Sequence, residues 1–167
     1  MLGSAQFGLH YGATNLRGKT SLEEAQQMLQ LGFAQGLEGL DCAAGYGDAE
    51  RMLGQLELQD CQLTTKIACA SQHSFNQQLA ESLGRLRRDY VDDLLIHDPQ
   101  VLSSADAYNR VILELEDIKR DGRAKRVGVT VYDVQQTRHI VEQGWIPDVI
   151  QIPLNIWNQE FLLTGEL

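Results

Sequence analysis

Residues 90–131 read YVDDLLIHDPQVLSSADAYNRVILELEDIKRDGRAKRVGVTV, and the change of period along them decides the fold. Tyr90 to Ile96 is an apolar run of strand length, stopped by Asp98-Pro99. From Ala105 to Asp121 the spacing becomes helical: Tyr108, Val111, Ile112, Leu115 and Ile118 fall on one face, and Gly122 stands where a helix takes its left-handed terminating residue. Arg126 to Val131 is again rich in β-branched residues. A strand, a helix and a further strand in succession imply a right-handed crossover between parallel strands.

The same alternation extends in both directions. Toward the N-terminus, Gln62 to Ile67 and Leu37 to Asp41 read as strands, and Leu2 to Gln6 as a short first strand. Ser21-Leu22-Glu23-Glu24 is a capping box, in which the Ser caps while the Glu three residues on reaches back. The helix it opens should run to about Gln35 and end at Gly36. Asp48 and Ser74 stand as caps of two further helices. Toward the C-terminus, Asp133 caps a helix that Gly144 closes, and Val149 to Ile152 is the last strand. About six strands alternate with five helices. An open doubly wound sheet and part of a (β/α)₈ barrel both fit. The doubly wound reading calls for G-x-G-x-x-G after the first strand; Gly3 and Gly8 lie too far apart, and Gly45-Tyr46-Gly47 lacks the third Gly.

At 167 residues, the chain is expected to form one domain, residues 1–167. With 43% hydrophobic residues it holds enough apolar material for a core, and a net charge of −9 argues against a nucleic-acid partner. Basic residues gather at Arg85, Arg87 and Arg88, and at Lys119, Arg120, Arg123, Lys125 and Arg126, which reads as solvated helix ends. Cys42, Cys61 and Cys69 lack paired C-x-x-C spacing and support neither a disulfide framework nor a zinc site. No run approaches the roughly 20 apolar residues that span a bilayer, and Met1 to Gln6 has no leader pattern, so a cytoplasmic location without a membrane partner is expected.

Four polar residues fall at or just beyond strand C-termini: Asp41, Tyr46, Lys66 and His97. In a parallel barrel those ends share one face, where active sites form. Singly, each has an ordinary explanation: a turn aspartate, a loop anchor, a lysine snorkelling outward, a satisfied histidine. Together they are the types one mechanism needs, the delivery of a hydride and a proton to a carbonyl. A phenol near pKa 10 relays a proton poorly at neutral pH unless its phenolate is stabilised. A neighbouring ammonium does that, a carboxylate holds the ammonium, and a neutral imidazole orients the carbonyl.

At these residues the chain resembles the aldo-keto reductases. Gly39-Leu40-Asp41-Cys42-Ala43-Ala44-Gly45-Tyr46-Gly47-Asp48-Ala49-Glu50 is similar to the family motif D-T-A-x-x-Y-G-x-[SA]-E, with Cys42 where Thr is usual. Thr64-Thr65-Lys66, Asp92 to His97 and Gly122 to Val129 resemble three further family segments in the same order. The resemblance implies Tyr46 as general acid/base, Lys66 lowering its pKa, Asp41 paired with Lys66, and His97 positioning a small aldehyde or ketone. It also implies a non-covalent NADP(H) or NAD(H), with Gln151 on the nicotinamide carboxamide and Asp41 and Thr130 nearby. Val131 stands where the family has an amide, and Ala5 and Gln6 where its first strand meets nicotinamide and substrate. The stretch from Leu2 to Gly12 is similar to a bacterial subgroup that often acts near sugar metabolism.

A (β/α)₈ barrel takes about 250 residues, so the fold expected is α/β of this TIM-barrel type, incomplete, with about six βα units. The family's last two units hold most of the adenosine-phosphate site, so weakened cofactor binding is expected. An open parallel sheet exposes strand edges and apolar lining, so a homodimer or a missing C-terminal segment is expected to cover it. The competing reading is a catalytically inactive remnant serving as an interaction or small-ligand module. A metal-dependent barrel hydrolase finds little support, because His10, His73, His97 and His139 form no H-x-H pair.

Overall fold

A computed structural model of the chain describes residues 1–58, 60–68, 74–103 and 105–165; Cys69 and His73 lie outside them. Strand β1 (Leu2–Gly3) leads into a helical turn, α1 (Ala5–Gly8), and then α2 (Leu22–Ala34). There follow β2 (Gly39–Asp41), α3 (Ala49–Leu53), β3 (Gln62–Ile67), α4 (Phe75–Leu86) and β4 (Val91–Ile96). A 3₁₀ turn (Pro99–Ser103) precedes α5 (Ala105–Arg120), β5 (Ala124–Thr130), α6 (Val134–Glu142), β6 (Val149–Gln151) and α7 (Glu160–Thr164). The six strands form one sheet in chain order, every neighbouring pair parallel. Consecutive order with a helix between strands is the construction of a (β/α)₈ barrel, here with six of its eight strands. The sheet curls far enough for Gln151 on β6 to hydrogen-bond Asp41 on β2 across the interior.

Side chains alternate across each strand with period two. The outer set, including Leu40, Leu63, Leu94, Ile96, Val127 and Val129, is buried beneath the helices. These helices supply Leu29, Leu53, Leu79, Leu86, Leu115, Ile118 and Ile140. Each such side chain contributes about 1.5–3 kcal/mol by leaving water. The inner set is polar at both ends. Toward the strand starts, Asp93 accepts from Gln62, Thr64 and Arg126 at 2.6, 3.0 and 2.7 Å. Asp92 accepts the Leu63 N–H, and Asp148 the Val127 N–H. These aspartates tie the N-terminal halves of β3 and β5 to their neighbours.

They also correct part of the reading of the basic clusters as solvated helix ends, which holds for Arg120, 72% exposed in the last turn of α5. Arg126 goes to Asp93, Lys125 to Asp92, Lys119 to Asp148, and Arg85 to the buried Glu50. A buried carboxylate needs a paired donor, and Asp93 and Glu50 are buried, while Asp92 and Asp148 are partly exposed.

The helix starts at Ser21 and Ser74 are complete capping boxes, with Glu24 and Gln77 reaching back. Asp133 caps α6 through Gln136 N–H. Two local expectations fail. The first strand stops at Gly3, because Ser4 N–H and hydroxyl both turn to the Asp41 carbonyl and Phe7 N–H bonds Ser4 O, which starts the α1 turn. Asp48 makes no capping hydrogen bond; its carboxylate pairs with Lys19 at 2.9 Å. No helix among the described residues is long and apolar enough to cross a membrane.

Candidate active site

The loop carrying Tyr46 is an extension of the sheet. Beyond β2, Cys42 N–H bonds Thr64 O and Ala44 N–H bonds Lys66 O, so the chain stays on the β3 ladder until it turns at Tyr46 N–H to Ala43 O. Gly47 turns it with φ +57°, and its place against Gly8 O leaves no room for a side chain. Gly8 is equally confined: a Cβ there would lie 1.7 Å from the Tyr46 carbonyl. On the outer side, Glu50 of α3 is fully buried and binds Thr65 at 2.6 Å and Arg85 at 2.7 Å, tying the end of this loop to β3 and α4. His97 continues β4 by one residue, its N–H on Ile67 O.

These placements bring the four predicted side chains together. Lys66, 2% exposed, donates to Asp41 Oδ2 at 2.7 Å, to Cys42 O at 3.1 Å and to Tyr46 Oη at 3.4 Å. An ammonium has three N–H donors, and each has an acceptor. Because the ammonium only donates, the phenol oxygen accepts and its own hydrogen is left for another partner. The Tyr46 and His97 rings meet edge to face, centroids 5.7 Å apart.

The electrostatics differ from expectation in one respect. Lys66 was expected to bring the phenol down. Burial, and next to it the Asp41 carboxylate, instead push Tyr46 up to about 12. The ammonium is spent mainly on Asp41 and the Cys42 carbonyl, its shorter contacts. Burial holds the His97 imidazole below its ordinary value; Lys66 adds to this, while Asp41 and Asp98 oppose it. A neutral phenol and a neutral imidazole therefore stand side by side at neutral pH.

Thr130 and Gln151 belong to the same cluster. Thr130 Oγ1 lies 3.3 Å from Gln151 Oε1, and Gln151 Nε2 donates to Asp41 Oδ1 at 3.0 Å. The amide keeps one N–H and one lone pair, a neutral donor–acceptor set that suits a carboxamide such as that of nicotinamide. Val131 is fully buried. Ala5 and Gln6 sit in α1, and Gln6 lines a groove of about 420 Å³ with Lys19, Thr20 and Met28 against α2. Among the described residues no group of three or more metal-ligating side chains occurs.

Sequence reading missed the residues that hold the four in place. The Cys42 carbonyl is a backbone acceptor that side-chain patterns do not carry, and Ser4 binds the Asp41 carbonyl from 37 positions away, whereas Glu50 stands inside the quoted motif as a carboxylate buried in α3.

The family model described as "Aldo/keto reductase family" matches residues 1–163. The chain is 29% identical over 143 residues to methylglyoxal reductase DkgA of Yersinia pestis, covering 82% of this chain and 51% of that protein. It is 28% identical over 167 residues to aldo-keto reductase AKR2E4 of Bombyx mori, covering 89% and 54%. The chain thus spans about half the length of the curated relatives it matches. Among solved structures, an aldo-keto reductase of Pseudomonas aeruginosa superposes with a TM-score of 0.78 at 22% identity, over 99% of this chain and 66% of that one. The Bombyx mori enzyme in complex with NADP superposes with a TM-score of 0.72 at 24% identity, over 99% and 58%. At these identities the superpositions speak for the fold.

Proposed function

The chain belongs to the aldo/keto reductase family, and from that premise we propose that it acts in the NAD(P)H-dependent reduction of a small aldehyde or ketone, with Tyr46 as proton donor. The observation that carries this reading is the placement of one buried ammonium, Lys66, 2.7 Å from Asp41 and 3.4 Å from the Tyr46 oxygen, with His97 edge-on to the phenol. The bound nicotinamide supplies the hydride. Gln151, Thr130 and Asp41 are the residues that would hold its ring end. The substrate carbonyl accepts the Tyr46 hydroxyl and a His97 ring N–H. A phenol raised to about 12 stays protonated at neutral pH and so has a proton to give. As that proton leaves, negative charge gathers on Oη, where a Lys66 N–H already points; fixed donors at a developing charge are the largest catalytic term in many enzymes.

For the open side of the sheet the proposed cover is a second copy of the chain, the alternative being a C-terminal segment outside this sequence. Leu154, Ile156, Trp157 and Leu163, which follow β6 in the chain, are more than half exposed.

The test is twofold. NADPH fluorescence should change saturably on titration with the protein; an unresponsive signal up to millimolar concentration would leave the alternative, a non-catalytic interaction or small-ligand module, in possession. Where turnover is seen, Tyr46→Phe should lower it by about 10²-fold or more while the fold is kept. Full turnover in that variant removes Tyr46 from the donor's place.

A further inference from the structure

Building on that reading, we propose that Gln151 is a positioning residue for the proton donor: from edge strand β6 its amide fixes the Asp41 carboxylate so that Lys66 remains shared with Tyr46. The hydrogen bonds run Thr130 hydroxyl to Gln151 Oε1 (3.3 Å), Gln151 Nε2 to Asp41 Oδ1 (3.0 Å), then Lys66 Nζ to Asp41 Oδ2 (2.7 Å) and to Tyr46 Oη (3.4 Å). The chemistry of the partners sets the direction. A carboxylate only accepts, so the amide nitrogen faces Asp41, its oxygen faces Thr130, and the Thr130 hydroxyl donates.

Each Asp41 oxygen therefore has its own donor. Removing the Gln151 N–H leaves Oδ1 of a carboxylate that is 18% exposed without it. Both oxygens then compete for one ammonium. Of the three contacts Lys66 makes, that to Tyr46 is the longest, and it is the first to be lost when Asp41 draws the ammonium closer. Gln151 thus guards the weakest link of the donor. Its second N–H remains for a ligand, so anchoring a carboxamide and holding Asp41 use different hydrogens of one group. β6 pairs with β5 on one side, and the amide connects this edge strand to the opposite wall.

The experiment follows the ¹⁵N-coupled ammonium signal of Lys66 in cofactor-free protein, identified by its loss in Lys66→Met. Gln151→Met, similar in size and without an N–H, should shift and broaden that signal as its hydrogens exchange faster, while the β3 backbone amide signals hold their positions. At saturating cofactor its kcat should fall about tenfold to a hundredfold, the scale on which a small displacement of a catalytic group acts, with substrate KM little changed. Gln151→Glu should recover kcat as pH is lowered, because the protonated carboxyl again offers one O–H to Asp41. An ammonium signal identical to that of the parent protein in Gln151→Met overturns the proposal. So does a Gln151→Glu defect confined to cofactor KM and flat with pH. Absence of turnover in the parent protein would sink the reductase reading, while the ammonium signal would still decide the role of Gln151.

Discussion

At the scale of single residues, the site is an economy of one ammonium among three acceptors, and its acid–base behaviour follows from burial more than from charge. His97 gives a prediction with a sign. Its folded pKa lies below the ordinary 6.5, mainly through burial. Above 6.5 the folded and unfolded chains both carry neutral imidazole and the group is indifferent. As pH falls through 6.5 the unfolded chain takes up the proton first, so stability is lost from there down to the lowered folded value. Denaturant unfolding between pH 7.5 and 5 should show this decline, and His97→Asn should flatten it relative to the parent protein; equal slopes would mean the imidazole is solvated like a free one. Residue types at strand ends were enough to nominate Asp41, Tyr46, Lys66 and His97, because one chemistry uses all four. The direction of the Tyr46 shift was not legible, since it follows first from burial of the phenol and then from the Asp41 carboxylate beside it, and residue types in a row carry neither.

At the scale of elements, the sequence was most legible where a local bond makes the boundary. Ser21, Ser74 and Asp133 cap helices as their side chains suggest, and Gly36, Gly122 and Gly144 end helices or follow them in left-handed conformation. Legibility failed where a distant partner competed. Asp48 has the residue type of a cap, but Lys19, 29 positions away, takes its carboxylate. Ser4 belongs to a run that reads as strand, but the Asp41 carbonyl, 37 positions away, turns it out of the ladder. The short α7 (Glu160–Thr164) carries no capping side-chain bond and had no signal to give. The contrast is measurable. Asp133→Ala removes a bond to Gln136 N–H at 2.8 Å and should lower stability by about 1 kcal/mol in denaturant unfolding. Asp48→Ala removes a solvent-exposed ion pair and should change the midpoint much less. A larger loss at Asp48 than at Asp133 would show that the Lys19 contact carries the loop before α2 into the fold.

At the scale of the whole molecule, a parallel sheet of six strands has two edges, and their composition separates two outcomes. β1 and β6 are only two and three residues long, which limits edge-to-edge strand pairing. The apolar surface beyond β6 is a different matter: Ile156, Trp157 and Leu163 are 80, 91 and 81% exposed. Association is therefore expected through side chains rather than through an added strand, in the self-complementary manner of a two-fold pair. The two tryptophans give a direct readout, because Trp145 is already 6% exposed and buried in the monomer while Trp157 is not. On raising the protein concentration, light scattering should report a mass above 18.7 kDa, and the tryptophan emission should move to the blue as Trp157 leaves water. Trp157→Glu should abolish both changes, since a carboxylate cannot be buried unpaired at such a surface, and should leave the Lys66–Tyr46 contact intact. A well-folded monomer at every concentration, with Trp157 emission unmoved, would withdraw the second copy as the cover of this face.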